Sequence, residues 1–167
     1  FGELDRLADV IIIDTGAGIS NRVLEFVMAS PEVLVVTTPE PSSLTDAYSL
    51  MKALYKNPKF SPEYTKISVL ANRVTSIEEG QNVYDKLDSV VRQFLQGEIS
   101  YAGLIPQDKE LEQSVRQQKT VSIYAPASAS ARAFEVMASN ILNYEHKQAK
   151  IPSGIAQLFA KLWKHID

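Results

Sequence analysis

The sequence has 167 residues, enough for one domain with a real core. A hydrophobic fraction of 45% beside 22% charged residues is that of a soluble globular domain, and a net charge of -3 gives no global basic field for nucleic acid. The lack of cysteine excludes disulfides, thiolate metal sites and cysteine nucleophiles, and with only His146 and His165 a histidine-based metal site or triad is not expected.

No apolar run approaches the roughly 20 residues that span a bilayer, and the amino end carries no signal-peptide pattern, so a cytoplasmic protein is expected. The opening Phe1-Gly2-Glu3-Leu4-Asp5-Arg6-Leu7 has no methionine and reads as the end of a helix feeding a strand, as in a piece of a longer protein. The strand is Ala8 to Asp14, a Val and Ile run of the kind buried on both faces of a parallel sheet. Asp14 then falls at its carboxyl tip, where open α/β sheets place ligands. The same residues also fit a strand whose final Asp merely starts a Gly-containing turn.

Ser20 or Asn21 caps a short helix to Met28, stopped by Ser30-Pro31. Val33 to Thr38 reads as a second strand, and Pro39-Glu40-Pro41-Ser42-Ser43 as a loop ending in capping residues. The following helix carries Leu44, Ala47, Tyr48, Met51, Leu54 and Tyr55 on one face and ends at Asn57-Pro58. A third strand runs from Ile67 to Arg73. Ser76 and Glu79 form a capping box for a long helix with Val83, Leu87, Val90, Val91, Phe94 and Leu95 inward, closed by Gly97. A fourth strand spans Ile99 to Ile105, and Pro106-Gln107-Asp108 turns into a short helix near Glu110 to Gln117. After a loop with Tyr124 and Pro126, the last core helix runs from Ala129 to Tyr144. Strands separated by helices imply right-handed crossovers and a parallel sheet.

In this order, Asp9-Val-Ile-Ile-Ile-Asp14-Thr-Gly-Ala-Gly18, Val35-Val-Thr-Thr-Pro-Glu-Pro41-Ser-Ser-Leu-Thr-Asp46-Ala-Tyr48, Ala71-Asn-Arg73 and Gly103-Leu-Ile-Pro-Gln-Asp108 resemble the carboxyl-terminal part of a MinD/ParA-type (SIMIBI) P-loop ATPase. The Asp14 turn and the segment Val115 to Pro126 most resemble the family's flagellar-number regulators, the FlhG type. The resemblance covers Asp9 to about Asn143. It implies a partial P-loop NTPase fold, a mostly parallel sheet flanked by helices in three α/β/α layers, with a C-terminal amphipathic helix. The chain then divides into the carboxyl-terminal part of a MinD-like ATPase domain at 1–145, a linker at 146–152 and the helix at 153–167.

The resemblance implies ATP and Mg²⁺ as ligands. Asp14 matches the aspartate that helps hold Mg²⁺ through a water, and a carboxylate suits a hard cation that keeps most of its waters. Gly16 and Gly18 match the switch that follows, where the backbone approaches a γ-phosphate. Asn72 and Arg73 match the adenine-contacting strand end, and Pro106, Gln107 and Asp108 the loop across the base; an Asn amide offers donor and acceptor together. A polar strand ending accounts for Asn72-Arg73 equally simply. The family's glycine-rich phosphate loop, GxxxxGK followed by Ser or Thr, occurs nowhere in the 167 residues. The strand that the family inserts between Asp9–Asp14 and Val33–Thr38 is missing too, and so is the switch I aspartate. The chain alone is therefore not expected to hydrolyse ATP.

The end of the chain carries a separate pattern. Ile155, Leu158, Phe159, Leu162, Trp163 and Ile166 share one face of a helix begun by Ser153, with Gln157, Lys161, Lys164 and His165 opposite. Such a face after the polar stretch His146 to Lys150 fits an interfacial membrane helix, peripheral at the inner face of the cell membrane. A helix packed on the core or on a partner subunit has the same pattern. One short helix with two lysines binds weakly, so the resemblance's ATP-state homodimer would supply avidity.

The resemblance thus implies an ATP-switched regulator of flagellar number or placement, with partners among flagellar basal-body proteins and a signal-recognition-like GTPase. The alternatives are a non-catalytic scaffold that no longer binds nucleotide, and a cell-division or chromosome-partitioning ATPase. The modest basic content argues against nucleic acid as a partner.

Overall fold

The computed structural model describes residues 8, 10–16 and 18–144. Its elements are α1 (Asn21–Ala29), β1 (Glu32–Thr37), α2 (Pro41–Tyr55), β2 (Lys66–Val74), α3 (Ile77–Leu95), β3 (Ser100–Pro106), α4 (Lys109–Arg116), α5 (Val121–Tyr124) and α6 (Ala129–Tyr144). The three strands form one parallel sheet in the order β1-β2-β3, flanked by helices as the sequence implies.

Register decides what each face buries. Val33 stands beside Ile67, Val35 beside Val69 and Thr37 beside Ala71, so these side chains share one face. Over it, Val35, Ile67 and Val69 pack with Ala47, Met51 and Leu54 of α2 and Leu87 and Val91 of α3. Met51, Leu54, Val69 and Val91 are fully buried. A second cluster joins Leu70, Ala71 and Val74 of β2 to Val83, to Leu104 and Ile105 of β3 and to Ala133 of α6. The core uses Ala47, Met51 and Leu54 of α2 and Val83, Leu87 and Val91 of α3, as read from their 3.6-residue period, but Phe94, expected inward, is 63% exposed, and Val90 joins neither cluster.

Helix starts follow local chemistry. Ser20 caps α1, accepting from the Val23 N–H at 3.4 Å, and Ser76 caps α3, accepting from the Glu79 N–H at 3.0 Å. The capping box is modified, because the Glu79 carboxylate accepts from the N–H and hydroxyl of Thr75 (2.6 and 2.8 Å) rather than from Ser76. At α2 the serines are not the cap. Pro41 opens the helix behind Glu40, and the Ser43 hydroxyl instead accepts from the Thr38 N–H (3.0 Å) and bonds the buried Thr37 hydroxyl (2.9 Å). This ties the carboxyl tip of β1 to the first turn of α2.

Other local expectations are corrected as well. The run through Ile13 is not a strand: residues 10–16 make no ladder, and Ile11 and Ile12 are 40% and 82% exposed. An apolar run becomes a strand only by pairing its N–H and C=O groups with a neighbour, and no described strand lies beside it. The outer side of β1 shows the same deficit, with Leu34 and Val36, on the face opposite Val35, left 40% and 54% exposed. At the end of α3, Gln96 rather than Gly97 takes the left-handed conformation (φ 52°), and Gly97 is buried for a different reason, its contact with Tyr55. Finally, Val121–Tyr124, expected as loop, forms one helical turn, too short for a periodic signal.

Among the described residues no helix is long and apolar enough to cross a membrane. Residues 145–167, with the linker and the amphipathic segment, lie outside the described residues.

Candidate functional site

Because the sheet is parallel, the carboxyl tips of its three strands lie side by side, and the loops after β1, β2 and β3 share one end of the sheet. The expected residues Asn72, Arg73, Pro106, Gln107 and Asp108 all belong to the tips of β2 and β3. They are held together by direct bonding: the Gln107 N–H donates to the Val74 carbonyl at 2.9 Å.

The tip of β2 is irregular. Asn72 pairs with Ile105 and Val74 with Pro106, so Arg73 is the extra residue of a β-bulge. Its φ is 57°, left-handed for a long side chain, which costs on the order of 1–2 kcal/mol. The Asn72 side-chain oxygen accepts from the Arg73 N–H at 2.9 Å and stabilises this conformation. The Asn72 amide oxygen is therefore already used next to its own backbone, and its NH₂ group makes no hydrogen bond among the described residues. Arg73 is exposed. Backbone irregularities of this kind cluster at ligand sites.

Across from it, Pro106 is buried and Gln107 exposed. Asp108 is not turned toward solvent. Its Oδ1 accepts from the Glu110 N–H (2.9 Å) and caps α4, while Oδ2 accepts from the N–H (3.0 Å) and hydroxyl (2.7 Å) of Ser130 at the start of α6. Burial works against the charge of Asp108, but the Ser130 N–H and hydroxyl and the Glu110 N–H outweigh it and hold the carboxyl below its usual range. Glu79 is likewise lowered, first by the Thr75 N–H and then by its hydroxyl.

Asp14, Gly16 and Gly18 are exposed, and no hydrogen bond among the described residues ties them to the tips of β2 and β3. Gly18 has φ 107°, a conformation that strains any other residue. Asp14 offers the hard oxygen that Mg²⁺ takes. No group of three His, Cys, Asp or Glu side chains able to hold a metal occurs among the described residues. Asn72, Arg73 and Gln107 suit the planar, polar edge of a base. The described strand tips offer no cradle of several backbone N–H groups for phosphates.

An open cavity of about 420 Å³ lies on the β1 side of the same end, lined by Pro39, Thr75, Ser76, Glu78, Glu79, Asn82, Val83 and Lys86. The expected set contains none of these residues. Only the position of Thr75 and Ser76, directly after the Asn72–Val74 bulge, signals them in the sequence.

No family model matches the chain. It is 38% identical over 141 residues to the antiactivator FleN of Pseudomonas aeruginosa, an overlap of 84% of this chain and 49% of FleN. It is 32% identical over 161 residues to the flagellum site-determining protein YlxH of Helicobacter pylori (95% and 53%), and 28% identical over 142 residues to the chloroplastic septum site-determining MinD homologue of Arabidopsis thaliana (84% and 41%). Among solved structures it resembles a chain of the MinC:MinD cell division complex of Aquifex aeolicus, with a TM-score of 0.52 at 21% identity over 81% of this chain and 50% of that one. The chain spans about half the length of the curated relatives it matches.

Proposed function

We propose that this chain, a homologue of the MinD-type flagellum site-determining and septum site-determining proteins, is the carboxyl-terminal half of an ATP-switched regulator of flagellar number or placement. The observation that supports this most is the strained, bulged Arg73 beside Asn72, bonded through Val74 to the loop bearing Gln107. In this reading Asn72, Arg73, Pro106 and Gln107 hold the base, and Asp108 acts from behind the loop. Asp14 orients a water of the Mg²⁺ shell, and Gly16 and Gly18 form the hinge that responds to the γ-phosphate. Bound Mg²⁺ and ATP supply the cleavable phosphoanhydride and the charge neutralisation its cleavage needs. The phosphate cradle belongs to the other half of the protein, so this chain alone does not turn ATP over.

Closure on ATP pairs two copies and presents two terminal helices to the inner face of the cell membrane through Ile155, Leu158, Phe159, Leu162, Trp163 and Ile166. Flagellar basal-body proteins and a signal-recognition-like GTPase are the partners this reading names. A scaffold that binds no nucleotide is the second reading, favoured by the exposed Leu34 and Val36 and by a side of β1 that no other described strand pairs, which suit association.

The full-length protein with Mg²⁺ and a non-hydrolysable ATP analogue is expected to co-sediment with vesicles containing anionic phospholipid. Trp163→Glu should weaken that binding about tenfold or more, the equivalent of one large apolar side chain left unburied. Wild-type protein that stays in the supernatant with the analogue bound would contradict the membrane step.

A further inference from the structure

Asp108 joins three pieces of backbone. As the residue closing the 106–108 loop it caps α4 with one oxygen, and with the other it takes both donors of Ser130 on α6. The other flank of that loop is fixed by the Gln107 N–H on the Val74 carbonyl, next to the Arg73 bulge. Gln107 stands between these two anchors with its side chain exposed.

Ser130 itself is 0% exposed, so it cannot touch a ligand. A serine in the first turn of a helix normally needs no distant carboxylate: the cap of α6 is already made by Ser128, whose hydroxyl accepts from the Ala131 N–H at 3.2 Å. The bond between the Ser130 hydroxyl and Asp108, 22 residues apart, is therefore additional to helix capping, and at 2.7 Å it is the shortest of the three on that carboxylate. A charge-assisted hydroxyl bond is strong and directional, and it leaves the carboxylate a single orientation. We propose that Ser130 is a positioning residue: through Asp108 it sets the place of the Gln107 loop opposite Asn72 and Arg73, and so the tightness with which a nucleotide base is held. This rests on the nucleotide reading given above.

The test uses the full-length protein, titrated calorimetrically with an ATP analogue and Mg²⁺ well below the melting temperature of each variant. Ser130→Ala is expected to weaken binding about 3–10-fold, the equivalent of a typical net hydrogen bond. Ser130→Cys, which keeps a weak donor of similar size, should fall in between and serves if the alanine variant does not fold. Adding Gln107→Ala to either variant should cost less than Gln107→Ala alone, because a loop already released has less to lose. A merely structural Ser130 would lower the melting temperature with affinity unchanged, or give fully additive losses, and either result overturns the proposal while leaving the nucleotide reading intact. Wild-type protein that binds no analogue removes the nucleotide reading and this inference with it.

Discussion

Asp14→Ala in the full-length protein is expected to lower Mg²⁺-dependent ATP turnover about 10–100-fold, the range typical for loss of a group that orients a metal's outer shell. Asp14 does little for the fold. It is exposed and makes no hydrogen bond among the described residues, so its removal costs negligible stability. A carboxylate that contributes nothing to packing, placed before a turn whose Gly18 sits at φ 107°, is free to serve a ligand. The measurement is steady-state phosphate release at saturating Mg²⁺, with a thermal melt to show that the variant is folded. Turnover equal to wild type would remove Asp14 from the proposed site.

Gly97→Ala has the largest effect expected on stability. A Cβ built at Gly97 would lie 2.3 to 2.6 Å from the Cζ, Cε1 and hydroxyl of Tyr55, closer than any packed carbon tolerates. Tyr55 cannot swing aside without loss. Its hydroxyl donates to the Glu98 carbonyl (3.1 Å) and accepts from the Glu98 N–H (3.2 Å), and its ring stands edge-on to Phe60 at 5.1 Å. Burial pushes the Tyr55 phenol above its usual range. Overpacking of this kind costs about 1–3 kcal/mol. For a chain of this size each kcal/mol lowers Tm by roughly 2–4 °C, so a melt separates the outcomes. An unchanged Tm would mean that the Tyr55 ring relaxes freely and that the link between α2 and the end of α3 is soft.

Most of the fold is legible in the sequence because α2, α3 and α6 have a sustained helical period and β2 a continuous apolar run. The misreadings are informative. Val10 to Asp14 has the composition of a strand, but strand formation depends on a neighbour's backbone, which composition does not encode. Gly97 follows a helix where a left-handed glycine is common, yet Gln96 takes that conformation and the glycine serves a ring 42 residues away in sequence. Tertiary contacts of that kind leave no local pattern.

The placement of the candidate residues is legible to a similar degree. Asn72, Arg73 and the 106–108 loop are brought together as the parallel topology requires. The bulge at Arg73 is invisible in the strand's own sequence, since register slips are set by the partner strand. Asp108 follows Pro106-Gln107 like any turn residue, and only the structure shows both its oxygens engaged by two helices. The cavity beside Glu79 is not legible in the sequence, because the stretch from Thr75 to Lys86 reads as an ordinary capped helix start and only the fold brings Pro39 of the loop after β1 against it.

The central claim is that the tips of β2 and β3 hold a nucleotide base. Its most direct test is a calorimetric titration of the full-length protein and its Asn72→Ala variant with a non-hydrolysable ATP analogue and Mg²⁺. The account predicts saturable binding to the wild type, weakened about tenfold in the variant as one base-edge hydrogen bond is lost. Absence of binding, or equal affinity in the two proteins, would contradict it.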